Sequence, residues 1–189
     1  ITEAMINQAR KNLPEEVLTR LKKMKQWNIP PDCFNYILRK NLYPLLDNVI
    51  NRTDFPPSFV GTIIGHQIRH YDKKLREKYD NFKTVIEELF ITVHKKELHK
   101  DILKELIKAL AETNADSLNS LLQTIEFKSR TKNDITSEIQ SLQDTFHKIS
   151  KTDNKPAEIN WIMGQLRNKA IGNMDLKELR SVVEGKVNE

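Results

Sequence analysis

Two apolar stripes with helical spacing, joined by a glycine-containing turn, lie at the end of the chain. Their members recur at intervals of three and four, as Ile159, Ile162, Met163, Leu166 and Ala170, and then as Leu176, Leu179, Val182, Val183 and Val187. Residues at these intervals share one face of a helix, so the pattern predicts a helical hairpin. Gly172 and Asn173 stand where a left-handed C-cap belongs, and Asp175 can cap the second helix.

The rest of the chain also predicts helices, which makes the expected fold class all-α. Five glycines are present among 189 residues, and no segment sustains the alternation of apolar and polar residues that predicts a strand. Proline-led helix starts occur at Pro14, Pro31 and Pro57, because the fixed φ of proline suits a first helical turn. Further helices are predicted at residues 82–94, 100–112, 116–124, 134–149, 157–170 and 175–187.

Polar stretches and a change in charge predict two domains, a helical bundle over residues 1–79 and a tail over residues 80–189. The boundary is expected at residues 78–81, where a long basic helix ends. A second polar stretch, residues 150–156, predicts that the tail consists of two small helical subdomains, at about 80–150 and 155–189. A further polar stretch, 126–133, predicts a loop.

The basic residues are concentrated in the first part of the chain. The net charge is +5, and residues 1–79 contain 14 Lys and Arg against 8 Asp and Glu, whereas residues 80–189 contain 17 against 18. The surplus lies chiefly in residues 20–25 and 69–78. Such a surplus can attract the phosphates of a nucleic acid, but it is also common on ordinary solvated helices. Charge alone leaves both interpretations open.

The sequence contains no arrangement typical of a catalytic or metal site. No Gly-rich phosphate loop, Ser-His-Asp or Ser-Lys combination, or CxxC pair occurs. His66 and His70 have the i, i+4 spacing of a metal-binding pair, but no Glu lies between them, and Arg69 would repel a cation. We therefore expect no catalytic residue, no metal and no cofactor in this chain itself.

Four further features bear on the setting of the chain and on its packing. One cysteine, Cys33, excludes an internal disulfide and fits a reducing cytoplasm, and without a nearby histidine in the sequence it is expected to be a small, half-buried residue. Gly61 and Gly65 predict close packing of another helix on their face. No apolar run is long enough for a bilayer, so no membrane partner is expected. The chain begins with Ile rather than Met, which indicates a piece of a longer protein.

The final hairpin resembles a known domain. A helix containing Met163 and Gly164, a turn with lysine and glycine, and a last helix with regularly spaced Leu and Val occur in the same order in the tail (YqeY-like) domain of the GatB/GatE family of tRNA-dependent amidotransferases. The segments 85–90 and 100–107 also resemble the opening of that tail. The resemblance implies a helical bundle domain followed by a YqeY-like tail.

Upstream segments are similar to the helical domain of the GatE-type glutamyl-tRNA(Gln) amidotransferases. They are a short helix at residues 31–38, a Leu-hydrophobic-Asp-x-Val helix at 45–52 and a Pro-Ser-Phe-Val helix start at 57–60. The resemblance covers residues 28–187. The same region of a GatB-type protein is the close alternative, and the helix start at 57–60 favours the GatE type.

The resemblance implies a function for the parent protein. In this family glutamyl-tRNA is activated with ATP and Mg²⁺ in a cradle domain ahead of the helices, and a glutaminase or asparaginase partner supplies ammonia. Glu-tRNA(Gln) is thereby converted to Gln-tRNA(Gln), a carbon–nitrogen ligase reaction. The cradle is missing here, so the chain is expected to be a non-catalytic, cytoplasmic tRNA-binding region of such an amidotransferase.

The resemblance and the basic residues together predict two RNA-contacting surfaces. One is the polar side of the final hairpin, where backbone NH groups of the turn are also expected to approach RNA: Arg167, Asn168, Lys169, Asn173, Lys177 and Arg180. The other is one stripe of the long basic helix: Arg69, Lys73 and Arg76. At each position a plain solvated face is the alternative. The alternative function is a helical protein-interaction or scaffold module without RNA binding, which would dock through its apolar face at residues 59–68.

Overall fold

The computed structural model describes residue 3 and residues 16–115, 117–150 and 154–188, and within these ranges the chain forms helices and connecting turns without a strand. The expected all-α fold class is confirmed. The chain divides into two compact units, Ile1–Asp72 and Lys73–Glu189. The domain boundary expected at residues 79/80 stays a prediction.

The first unit contains five helical elements before the division. They are α1 (Val17–Gln26), α2 (Pro31–Arg39), α3 (Tyr43–Arg52), α4 (Pro57–Thr62) and a π-helical segment (Ile63–Ile68), which runs directly into α5 (Arg69–Lys78). The proline-led starts predicted at Pro31 and Pro57 are confirmed. The start predicted at Pro14 lies outside the described residues.

The core of the first unit brings α2 against the π-helical segment. Fully buried side chains come from every helix of the unit, among them Met24, Cys33, Ile37, Leu46, Val60, Ile64 and Ile68. A Cβ atom at Gly61 would lie 2.6 Å from Cγ1 of Ile29, and one at Gly65 would overlap the sulfur of Cys33. The predicted close packing on this glycine face is therefore confirmed. Cys33, expected to be half-buried, is fully buried because it fills the space beside Gly65.

The second unit contains seven further helices after α5 within the described residues. They are α6 (Phe82–Lys95), α7 (Leu103–Glu112) preceded by a 3₁₀ turn (Lys100–Ile102), α8 (Leu118–Thr124), α9 (Lys132–Thr136), α10 (Ile139–Ile149), α11 (Lys155–Ala170) and α12 (Leu176–Asn188). Ser117 begins α8 as its N-cap, accepting a hydrogen bond from the Ser120 amide at 3.2 Å. The start predicted at residue 116 lies outside the described residues.

One predicted helix is divided in two. The helix expected at residues 134–149 is observed as α9 and α10, with a break at Ser137 and Glu138. A capping box between Thr131 and Asp134 starts α9 earlier than expected, and the Ser137 hydroxyl donates to the carbonyl oxygen of Asp134 at 3.1 Å. Serine side chains that bond to nearby backbone compete with helix continuation, which accounts for the interruption.

The last four helices share one core. Its buried members come from α9, α10, α11, α12 and the turn between the last two, and they are Ile135, Ile139, Ile159, Ile162, Leu166, Ala170, Met174, Leu179, Val183 and Val187. Both apolar stripes of the predicted hairpin contribute to this core. Because α9 and α10 pack on the same core as α11 and α12, the polar stretch at 150–156 does not separate two cores. Residues 151–153 of that stretch lie outside the described residues.

Candidate nucleic-acid interface

The turn between α11 and α12 has the geometry of a type II turn. Ile171 has φ −55° and ψ 124°, Gly172 has φ +80°, and the Asn173 amide donates to the carbonyl oxygen of Ala170 at 2.8 Å. The third residue of such a turn needs a positive φ, which glycine adopts at low cost. The left-handed glycine predicted at position 172 is confirmed.

Gly172 is also required by packing. A Cβ atom there would lie 2.7 Å from Cδ1 of Ile102 and 2.8 Å from Cε2 of Phe127. The residue is buried, and the amide of Asn173 is used within the turn. The expectation that backbone NH groups of this turn approach RNA is therefore wrong for Asn173, because that group already has an acceptor.

Asp175 caps α12 as predicted. One carboxylate oxygen accepts hydrogen bonds from the amides of Lys177 at 2.7 Å and Glu178 at 3.4 Å. The bond from Lys177 is the main cause of a lowered pKa for Asp175, and the nearby Lys100 and His99 lower the pKa further. The start of the last helix is therefore fixed by an ionised side chain.

The side chain of Asn173 joins the turn to the loop before α9. Its Oδ1 accepts a hydrogen bond from the amide of Arg130 at 3.0 Å. Its Nδ2 donates to the carbonyl oxygens of Lys128 at 3.0 Å and Lys169 at 2.9 Å. The polar atoms that would read RNA at this position are thus engaged with backbone. Contact of Asn173 with RNA stays a prediction, and the geometry gives its side chain a structural role.

Two cations of the predicted surface have carboxylate partners. Lys169 forms an ion pair with Glu138, which also lies 3.6 Å from a guanidinium nitrogen of Arg130. Arg180 pairs with Glu184 at 2.8 Å, one helical turn further on. Exposed pairs of this kind contribute little to stability, but they lower the local positive potential.

The remaining predicted residues of the hairpin are exposed. The side chains of Arg167 and Lys177 make no hydrogen bond or ion pair with any described residue, and both point away from the shared core. Asn168 lines a surface depression together with Phe127 and Ile171. These three positions are exposed and are available for an external partner without the loss of an ion pair.

On α5, Arg69 belongs to the first unit. Its guanidinium lies over the ring of Tyr36, 5.9 Å from the ring centre, and it lines a depression with Asp32, Arg39 and Lys40. The hydroxyl of Tyr36 donates to Asp72 at 2.7 Å. The cation is therefore held by an aromatic contact at one wall of this depression.

The other cations of α5 have contacts within the second unit. Lys73 lies 3.8 Å from Glu77, and Arg76 lies over the ring of Phe82 at 4.3 Å from its centre. Lys78 donates to the carbonyl oxygens of Leu110 and Thr113, at the end of α7. These three cations of α5 are thus used for ion pairing, packing and capping within the second unit.

A mixed cluster in the first unit brings a histidine to Cys33, which the sequence order did not indicate. The Nε2 atom of His66 lies 2.7 Å from Oδ2 of Asp32, and one donor atom from each of Asp32, Cys33 and His66 lies within 4.8 Å of the others. The bond to His66 is the main cause of the lowered pKa of Asp32. Burial raises the pKa of Cys33 to about 11, and Arg69 is close enough to affect both groups. The thiol is therefore protonated at neutral pH, which disfavours nucleophilic chemistry here.

Comparison with known proteins gives no match. No protein-family model matches the chain, and neither a curated protein nor a solved structure matches it significantly. Within the described residues, no helix has the length and apolar character needed to cross a membrane.

Proposed function

We propose that this chain is a non-catalytic tRNA-binding region of an amidotransferase of the GatB/GatE family, with the GatE type the better match. The parent protein would use ATP and Mg²⁺, with ammonia from a glutaminase or asparaginase partner, to convert Glu-tRNA(Gln) to Gln-tRNA(Gln) in the cytoplasm. The resemblance of residues 28–187 supports this assignment, and the all-α fold is compatible with it.

The observation that carries the proposal is the hairpin of α11 and α12. Its turn is fixed by Gly172 and by the cap at Asp175, and its exposed side carries Arg167 and Lys177 without partners among the described residues. Cations held on a rigid element can contact phosphates at a low entropic cost. Recognition of a folded RNA by its shape requires no base contacts, so a surface of this kind needs no base-reading side chains to bind tRNA.

The scaffold alternative is less well supported by the packing. Its docking surface was the apolar face at residues 59–68, yet Val60, Ile63, Ile64 and Ile68 are at most 1% exposed. Within the first unit this face already packs in the core. A protein partner would have to use another surface.

Binding to a tRNA transcript, measured by mobility shift at several salt concentrations, tests the proposal. We expect a log–log slope of about −0.7 to −0.9 for each phosphate contact. The double variant Arg167→Glu and Lys177→Glu should weaken binding. The matched variant Lys95→Glu and Lys148→Glu carries the same charge change on exposed positions of α6 and α10 and should bind more tightly than the hairpin variant.

One outcome would reject tRNA binding, and another would reject the role of the hairpin. Absence of a salt-sensitive shift with the unmodified chain would remove tRNA binding altogether. Equal losses of tRNA affinity in the two double variants would show that the net charge of the chain determines the affinity. The hairpin would then have no special role. A triple reversal of Arg69, Lys73 and Arg76 tests the second predicted surface in the same assay.

A further inference from the structure

The loop between α8 and α9 is tied to the final turn at several points. The ring of Phe127 packs beside Gly172, and the side chain of Asn173 bonds to the backbone of Lys128 and Arg130. The capping box at Thr131 then starts α9 directly after these bonds. Residues 127–131 are therefore positioned by residues 172 and 173, although they are distant in sequence.

This arrangement brings two cations to one carboxylate and holds a third cation, Lys128, in the same loop. We define the Asn173 cluster as Lys128, Arg130, Glu138, Lys169 and Asn173. Glu138 is shared between Lys169 and Arg130, while the side chain of Lys128 is exposed and has no hydrogen bond or ion pair among the described residues. The three cations and one anion leave a formal charge of +2. One carboxylate cannot fully neutralise two cations, so Arg130 and Lys169 retain positive potential toward an approaching anion.

Acidic groups lie near this cluster and have their own partners. Asp134 accepts hydrogen bonds within the capping box, and Glu178 pairs with Lys132 at 2.7 Å. Asp175 is held by the amides at the start of α12. These carboxylates are engaged with partners other than the three cations of the cluster.

We propose that the Asn173 cluster is a phosphate-binding subsite for folded RNA, in which Asn173 positions the loop and Lys128, Arg130 and Lys169 contact the RNA backbone. This inference rests on the proposed function and adds Lys128 and Arg130, which were outside both predicted surfaces. Asn173 acts as a positioning residue, since its side-chain atoms are used by the protein backbone. Glu138 limits the affinity by competing with phosphate for Lys169 and Arg130.

Charge variants separate this subsite from the rest of the protein. With a tRNA transcript as the probe, Lys128→Ala should reduce the magnitude of the salt slope by about 0.7 to 0.9, the effect of one phosphate contact. Lys148→Ala, the same change on an exposed position of α10, should leave the slope unchanged. Glu138→Gln should tighten binding, and Glu88→Gln, which removes a carboxylate from an exposed position of α6, should have a smaller effect.

The variant Asn173→Ala tests positioning without a change of charge. Loss of the three side-chain bonds frees the loop, and affinity should fall by about two- to tenfold from the added ordering of the loop on binding. Circular dichroism shows whether this variant remains folded. If it does not, the salt slope of Lys128→Ala, a change at an exposed side chain, still shows whether the cluster contacts RNA.

The two proposals fail in different ways. If the unmodified chain does not bind the transcript, tRNA binding and the subsite are both rejected. If the unmodified chain binds but Lys128→Ala and Glu138→Gln behave as their control variants do, only the subsite is rejected. The cluster would then hold the loop in place without contacting RNA.

Discussion

The ammonium group of Lys78 lies 2.8 Å from the carbonyl oxygen of Leu110, where it caps the end of α7. Carbonyl groups in the last turn of a helix have no intrahelical donor, and a cation there also interacts favourably with the helix dipole. A lysine of the basic stretch 69–78 is thus an internal cap in the structure.

Lys78→Met should destabilise the second unit by about 1.5 kcal/mol, since it removes charged hydrogen bonds but keeps most of the aliphatic stem. Lys73→Met removes only a surface pair with Glu77 and should cost less than about 0.5 kcal/mol. Urea unfolding followed by circular dichroism measures both changes. Similar decreases in the free energy of unfolding of the two variants would show that Lys78 is not a cap.

Gly172 and Gly164 should respond in opposite directions to substitution by alanine. Gly172→Ala places a Cβ in a left-handed residue and against Ile102 and Phe127, at a cost of about 2–4 kcal/mol. Gly164 lies inside α11 with no atom within 4 Å of its added Cβ, so Gly164→Ala should stabilise by about 0.5–1 kcal/mol. Thermal unfolding of both variants gives the comparison. A neutral Gly172→Ala would contradict the turn geometry.

The cap at Asp175 predicts a dependence of stability on pH. Its pKa is lower in the folded chain than the ordinary value, so the unfolded chain takes up the proton first as the pH falls. The stabilisation is therefore present above about pH 5 and is lost as the pH falls through the folded pKa. Asp175→Ala should lower Tm at pH 7 and have little effect at about pH 2. If the difference in Tm between Asp175→Ala and the unmodified chain were the same at about pH 7 and about pH 2, a charged cap would be excluded.

Cys33 should react very slowly with thiol reagents in the folded chain. It is fully buried, and its pKa of about 11 leaves little thiolate at a mildly alkaline pH. Because the sequence contains one cysteine, the signal comes from this residue alone. We expect the rate to rise by about a hundredfold or more in urea, given the ordinary thiol pKa of about 8.5. Equal rates in folded and unfolded chains would show that the start of α2 does not shield the sulfur.

Local patterns in the sequence predicted most of the helices within the described residues and the main turn. Apolar spacing predicted α11 and α12, and the glycine at 172 and the aspartate at 175 predicted how the turn between them is built. These features depend on residues close together in the chain. The break at Ser137 was missed because an apolar stripe continues through it, while a side-chain bond to the backbone interrupts the helix.

Contacts between residues distant in the chain could not be predicted from local sequence patterns. Nothing in the local sequence indicates that Asn173 bonds to Lys128 and Arg130, or that Lys169 faces Glu138. The same holds for His66, which α2 and the π-helical segment bring beside Cys33. The composition gives the number of cations in the chain. Which carboxylates pair with them depends on the tertiary fold, and so does the number of positive charges left to contact RNA.

The π-helical segment Ile63–Ile68 has a consequence for sequence length. A π turn accommodates one residue more than an α turn, and each residue of a helix turns the following side chains by about 100°. Deleting one residue within this segment would therefore allow a regular α-helix that keeps Asp72 facing Tyr36 and Tyr71 in the core. A one-residue deletion should therefore be tolerated better here than inside α11, where no π turn can absorb it and the following side chains would rotate by about 100°.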